Sequence, residues 1–376
     1  MVISPSTTSS APTQTLTFPA PTFAKLAPHQ YLLTHLSSSP PNNPPLRPSG
    51  RPPAQFRPAS LHTSSLTHAS GSAVVRLGDT AVVCGVRGEI LLTRDIPGFR
   101  RDKHGRIPTG EGEEEREEED KKQMKELGLV VPNIELATGC SPDFLPGGPP
   151  SALAQSLSQR VLTLLHTGEV LGMDGLRIWS SAGTHAASRT QQTQDSSSSD
   201  DDDDHDDEEQ KPEVKAFWTL YIDILFISLD GNPFDSAWTA VLAALRDTAL
   251  PRAWWDEDLQ YILCSDDPAN ATPLRIKNWP IASTFAVFES GRSDRGALGG
   301  NGSTAPSWIL ADPDHFEESL CEEGVTVVLV RKEGRRDLKA VRIEKSGGGV
   351  VGVKEMREVV GLAEGRYWEL RKLVEG

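Results

Sequence analysis

The sequence predicts an α/β (α+β) fold of two halves, each a set of strands closed by a covering helix. Three observations carry this. The double apolar run "GSAVVRLGDTAVVCGVRGEI" (71–90) has the form of a hairpin. The run "VKAFWTLYIDILFISL" (214–229), rich in branched and aromatic residues, leads into the helix expected at "DSAWTAVLAALRDTAL" (235–250). The same order then returns, with strand-like runs at 279–288, 306–312, 325–332 and 338–345 before a terminal amphipathic segment at 353–375. Strands and helices in this order build an α/β layer, and 376 residues suffice for one large domain or two small ones.

Residues 1–46 are expected to be a disordered or extended N-terminal arm, low in complexity over 1–20. Within it "FAKLAPHQYLLTHL" (23–36) has near-helical apolar spacing and predicts a short docking helix. The Pro-rich stretch 37–53 cannot be a helix or a central strand, because each Pro removes a backbone donor. The Ser/Thr/Pro-rich start has no acid before Asp79, a weak import signal; a disordered extension suits it better.

The first half spans 47–250. Its strands begin near residue 60, and Gly78–Asp79 marks the hairpin turn. The nearly continuous apolar runs predict burial on both faces. Residues 98–128 predict an exposed excursion, basic and then acidic; 129–142 return as a strand and a turn. The helix expected at 150–171 places Leu153, Leu157, Val161, Leu164 and Leu165 on one face, with Ser151 as N-cap and His166 as a surface or packing histidine. A short strand (176–181), a second excursion (182–213) and the 214–229 strand follow, and Asp235 is the expected N-cap of the next helix. Residues 251–278 are expected to link to the second half, 279–376, where 325–332 and 338–345 predict a hairpin.

The net charge of −15 is concentrated in two blocks. Residues 195–209 hold ten acids and no Lys or Arg, and 111–120 carry a net seven negative charges, so the remainder is slightly positive at +2. Such blocks predict solvated, disordered chain. The four cysteines form no CxxC pair, and no His or Cys spacing suits zinc, so neither a metal nor a cofactor is expected. The thiols suggest a reduced intracellular compartment. No apolar run reaches membrane-spanning length.

The turn "SLDGNPFDSAW" (228–238) joins a strand to a helix N-terminus, a geometry that suits an anion. It lacks the cations an anion site needs. No Lys or Arg lies between Lys215 and Arg246, Asp230 and Asp235 flank the turn, and Pro233 removes one N–H.

"RPSGRPPAQFRPASL" followed by "GSAVVRLGDTAVVCGVRGEI" resembles the opening of RNase PH-like proteins, with an Arg-x-x-x-Arg arm before the hairpin. "VVPNIELATGCSP", "LYIDILFISLDGN" and "WILADPDHFEES" fall in the family's order, so the likeness spans Arg47 to Glu375. Within the family the sequence is most similar to non-catalytic ring subunits of the eukaryotic RNA exosome. The resemblance implies the RNase PH-like fold: two βαβα-type halves, of the ribosomal protein S5 domain 2-like kind. It implies a six-domain ring around single-stranded RNA, and RNA processing and turnover in the nucleus, nucleolus and cytoplasm. The implied partners are other RNase PH-like subunits, with ribosomal RNA-processing protein 46 as a close one, S1/KH cap subunits, and single-stranded RNA in the channel.

Active members of the family cut RNA from its 3′ end with inorganic phosphate, which requires cations to hold two anions together. Phe234 stands where the resemblance implies a phosphate-binding arginine. Asp312 and Glu318 have the spacing of the family's pair of acids, six residues apart, with Glu318 in place of the more usual Asp. Without the clamp, their expected roles are structural: Asp312 closes a strand, and Glu317 and Glu318 open a helix. The expectation is therefore a protein that is not an enzyme. An active phosphorolytic exoribonuclease with arginines from a neighbour, and an RNA-binding protein outside any ring, are the alternatives. Candidate RNA contacts are Arg47, Arg51 and Arg57 on the arm, Arg100, Arg101, Lys103 and Arg106 in the first excursion, and Arg160 in the helix.

Overall fold

The computed structural model describes residues 18–37, 45–97, 99, 113–145, 148–180, 213–290, 306–332, 334, 337–348 and 351–375. The 195–209 block, Arg100, Arg101, Lys103 and Arg106 lie outside the described residues.

The first sheet is organised around one long strand. β1 (Ala59–Thr63), β2 (Gly71–Leu77) and β3 (Thr80–Leu92) run as an antiparallel meander. Gly78, at φ +60°, makes the turn between β2 and β3. β3 pairs along its length with β6 (Val214–Ser228), from Ala81↔Ser228 to Leu92↔Ala216. On the far side of β6 lie β4 (Val130–Leu136), parallel to it, and β5 (Arg177–Trp179), antiparallel. The parallel β4–β6 pair needs a crossover, and the helix Ala152–Leu165 with β5 supplies it. β2 and β3 alternate, so one face enters the core and the other is only partly covered.

The helix Pro233–Asp247 is the centre of the molecule. Every residue from Phe234 to Leu245 is buried. It packs on β2 and β3 of the first sheet and on β11 (Ile281–Glu289) of the second. Its polar residues Asp235, Ser236 and Thr239 are buried and hydrogen-bonded, and Trp238 anchors it by donating from Nε1 to the Pro280 carbonyl at 2.7 Å. The second sheet is antiparallel, in the order β12 (Ser307–Ala311), β11, β13 (Glu323–Arg331), β14 (Leu338–Ser346). The terminal helix Val353–Glu375 covers it through Val359, Ala363, Tyr367, Leu370 and Val374. Side chains from both halves form one continuous core.

Four expectations change. Residues 251–278 are not a free linker: they hold β10 (Thr272–Pro273), paired with β7 (Ala249–Leu250) just before them, the hairpin β8 (Ala253–Asp256)–β9 (Tyr261–Cys264), and a bridge from Ile276 to Leu171. The acidic stretch is helical over Glu113–Glu126, and Gln123 and Met124 at its end are buried. The docking helix expected over 23–36 is present but split in two, Ala20–Leu26 and Pro28–Ser37, with Leu32 and Leu36 seated on Ala286, Phe288 and Leu310 of the second sheet. Leu153 is 38% exposed, while Ala154 joins Leu157, Val161, Leu164 and Leu165 inside.

With the two N-terminal helices as α1 and α2, Glu113–Glu126 is α3, Ala152–Leu165 α4, Pro233–Asp247 α5, His315–Leu320 α6 and Val353–Glu375 α7.

Candidate functional site: a strand-to-helix turn filled from within

The turn between β6 and α5 uses two successive left-handed residues, Gly231 at φ +69° and Asn232 at φ +46°. Gly231 has no substitute. A Cβ there would lie 2.5 Å from the Asp314 carbonyl carbon and 2.6 Å from the His315 nitrogen, both backbone atoms. Asn is among the few other residues that tolerate the left-handed region. Asn232, rather than Asp235, is the N-cap of α5: its side-chain oxygen accepts from the Asp235 N–H, and Pro233 takes the first helical position, where a missing donor costs nothing. Asp235 is thereby freed for another task. Its buried carboxylate accepts from the Thr284 N–H and Oγ1, both at 2.8 Å, and stitches the start of α5 to β11. Burial pushes its carboxyl upward in spite of hydrogen bonds from Asn232 and Thr284.

Asp312 stands just past β12 at φ +52°. Its two oxygens take Arg57 Nε at 2.9 Å and Nη2 at 2.8 Å, and Oδ1 also takes Asn232 Nδ2 at 2.7 Å. Burial pushes the Asp312 carboxyl up, but the hydrogen bonds and charge of Arg57 outweigh it, and the group ends below the usual carboxylate range. Arg57 also donates to the carbonyls of Asp230, Gly231 and Pro313. A second buried pair sits beside it: Arg47 Nη1 and Glu317 Oε2 at 3.0 Å, both side chains 0% exposed. There burial wins, lowering the guanidinium and raising the carboxyl. Asp314 caps α6 in a reciprocal capping box with Glu317.

A cavity of about 810 Å³ opens beside the turn. Glu318 enters it and accepts the Asn232 N–H at 2.7 Å, so a carboxylate of the chain itself occupies a donor at the start of α5. Phe234 is 2% exposed, and the Arg160 guanidinium lies 3.7 Å above its ring. Arg160 also holds Glu344 at 2.8 Å and Thr326 Oγ1 at 3.1 Å. The other lining cation, Lys345, pairs with Glu323 at 2.8 Å. Five acids, Asp143, Glu318, Glu322, Glu323 and Glu344, line the cavity against these two. A phosphate 4 Å from one such carboxylate meets about 4 kcal/mol of repulsion at an effective dielectric near 20. The arrangement can hold the two halves together; its charges oppose the docking of an anion.

Burial drives the Glu318 carboxyl up to about 7, with the Asn232 N–H and the Arg57 charge offsetting it in part. A carboxyl raised in the folded state favours folding below its unfolded value of 4.5 and loses that advantage as pH rises to about 7. Glu318→Gln keeps an acceptor for Asn232 and removes the charge. Discounted for its partial exposure, the change is expected to stabilise by about 1–2 kcal/mol at pH 8 and to be neutral at pH 4.5. Urea melts of both proteins across that range check it.

The structure places the sequence-derived candidates unequally. Phe234, Asp312, Glu318 and Arg160 come together around the turn. Arg47 and Arg57 do not face outward as RNA contacts: they are 1% and 5% exposed and committed to Glu317 and Asp312. Arg51 lies between, near Asp314 and Glu317 at 4.0 and 3.9 Å. Asn232 and Thr284 were not among the candidates, although an Asn between Gly and Pro ahead of a helix is a cap signal. Among the described residues no group of His, Cys, Asp and Glu is arranged to hold a metal.

The chain has relatives of nearly its own length. It is 28% identical over 352 residues to the exosome complex component rrp43 of Schizosaccharomyces pombe, covering 94% of this chain and 97% of that protein. This is the ribosomal RNA-processing protein 43 branch. The exosome complex component Rrp42 of Thermococcus gammatolerans is 24% identical over 86% of this chain and 88% of its own. The fold matches a chain of the Archaeoglobus fulgidus exosome with RNA bound to the active site, at TM-score 0.57 and 21% identity, over 92% of this chain and 96% of that one. A chain of an archaeal exosome core matches at TM-score 0.53 and 20% identity, over 93% and 96%. The profile of the 3′ exoribonuclease family, domain 1 (RNase PH), matches residues 55–251, the stretch that carries the Arg57 arm, the first sheet and the Gly231 turn. Motif order, two-sheet architecture and this match agree: the chain belongs to the RNase PH family and has its fold.

Proposed function

We propose that the protein is a catalytically silent ring subunit of the RNA exosome, which supports 3′-to-5′ RNA processing and decay by scaffolding and threading. One observation carries the reading: the phosphate seat is filled from within. Phe234 is packed under Arg160, Glu318 accepts the Asn232 N–H, and both lining cations are paired with carboxylates. Phosphorolysis must bring phosphate against a phosphodiester and needs uncommitted positive charge to do so. The likeness to rrp43 and Rrp42 exosome components supports membership of the ring. Its companions would be other RNase PH-like subunits, among them ribosomal RNA-processing protein 46, with S1/KH cap subunits and single-stranded RNA. Its place would be the nucleus, nucleolus and cytoplasm, in rRNA maturation and RNA turnover.

The tagged protein, alone and with its co-purifying companions, is incubated with RNA and inorganic phosphate. It is expected to elute as an assembly of roughly six or more such domains and to release no nucleoside diphosphate that depends on this chain. Release abolished by Glu318→Gln in this subunit would establish an active phosphorolytic exoribonuclease instead. Elution at monomer size from native extract would refute the ring.

A further inference from the structure

The positive charge missing from the turn is gathered elsewhere. A cavity of about 830 Å³ lies between β5 and the 251–275 segment and is lined by Trp179, Trp254, Arg252 and Arg275. A smaller one of about 330 Å³ is lined by Lys277, Arg331, Lys332 and Arg371. Past it, on the last turns of α7, are Trp368 and Lys372. One extended stretch joins the two cavities. The Leu274 N–H donates to the Thr248 carbonyl, that of Lys277 to Val170 and that of Asn278 to Glu169, which pins the stretch on either side of the exposed Arg275 and Lys277. Arg275 serves the first cavity and Lys277 the second.

Three properties distinguish this track from the turn. Four of its cations are uncommitted: among the described residues none of Arg252, Arg275, Lys277 and Lys372 is paired with a carboxylate, whereas Lys332 meets Glu169 at 3.9 Å and Arg371 holds Glu375. Acids are few: Asp174, which is paired with Arg177, and Glu375, which is held by Arg371, are the acidic residues lining the three cavities. Aromatic faces stand at both ends of the charge, with Trp254 37% and Trp368 47% exposed, the latter under the Arg331 guanidinium at 5.5 Å. Cations spaced along a groove with exposed rings at its ends are what a single-stranded nucleic acid requires: phosphates meet the Lys and Arg, and bases stack on the indoles.

We infer that this basic and aromatic track, running from Trp254 and Arg252 over Arg275 and Lys277 to Trp368 and Lys372, is a binding surface for single-stranded RNA, distinct from the turn. The choice of RNA rests on the proposed place in an RNA-processing ring; the polyanion character rests on the charges alone.

The test uses the full-length protein and a fluorescein-labelled oligouridylate in anisotropy titrations at several salt concentrations. Arg275→Glu/Lys277→Glu alters two surface side chains and is expected to weaken RNA binding about tenfold or more and to flatten the salt dependence. Trp254→Ala/Trp368→Ala is expected to weaken RNA binding severalfold while leaving binding of inorganic polyphosphate unchanged, since polyphosphate has no base to stack. Circular dichroism checks that each variant is folded. Unchanged RNA affinity in the charge-reversal protein overturns the inference. Equal losses for RNA and polyphosphate in the Trp variant overturn its stacking half. Loss of co-purifying companions with RNA affinity intact would mark a protein interface and overturn it as well. Assembly and nucleoside diphosphate release are measured on the same variants, so a failed track is distinguishable from a failed ring assignment.

Discussion

Arg57→Met is expected to lower the unfolding free energy by about 3–5 kcal/mol, the cost of leaving a buried charge without its partner. Asp312 is 1% exposed and takes a two-pronged bond from this guanidinium. The pH dependence should change as well. In the native protein the Asp312 carboxyl is lowered, so its contribution is present above 3.8 and lost as pH falls through its folded value. Without Arg57 the dominant influence on it is burial, which raises it, and stability should then fall as pH rises through the unfolded value. Denaturant melts between pH 3 and 8 read both effects. Arg57→Met/Asp312→Asn should recover part of the loss, because Asn tolerates the left-handed backbone at φ +52°, keeps an acceptor for Asn232 and removes the unpaired charge. Asp312→Ala is consequently a poor probe of chemistry in this chain: it would disturb the fold whether or not the site were active. Glu318→Gln is the variant that separates the two.

Gly231→Ala is expected to cost on the order of 2–4 kcal/mol. The added carbon would meet backbone atoms of Pro313, Asp314 and His315 at 2.5–2.7 Å, and no rotamer change relieves backbone. The turn would have to move away from the start of α6, weakening the Asn232–Glu318 and Asn232–Asp312 bonds that join the two halves. Gly361→Ala in α7 is the control. Nothing lies within 4 Å of its added carbon, and the helix should gain up to about 1 kcal/mol. Opposite shifts of the melting midpoint in the two variants would show that close backbone approach, rather than chain flexibility, sets the requirement at Gly231.

Most secondary structure was legible because it rests on local pattern. The β2–β3 and β13–β14 hairpins, the long β6 and the terminal helix follow from runs of branched residues and from 3.6-residue periodicity. The 251–278 segment was misread because its strands are two to four residues long, too short to show a period. The acidic run from Glu113 was misread because composition favoured solvation, whereas Gln123 and Met124 at its end find a tertiary site.

By itself the sequence determined that the β6–α5 turn carries no cation of its own: Phe234 and Pro233 are local facts, and no Lys or Arg lies between Lys215 and Arg246. What became of the remaining charges only the tertiary structure decided. Arg47 and Arg57, on a Pro-rich arm that looked exposed, are buried against Glu317 and Asp312, 270 and 255 residues away. A side chain's periodicity reports which face it lies on, but not which carboxylate the fold will bring to it. The cost of burying an unpaired charge makes that distant partner, rather than the local pattern, decide whether an arginine is a surface contact or a structural tie.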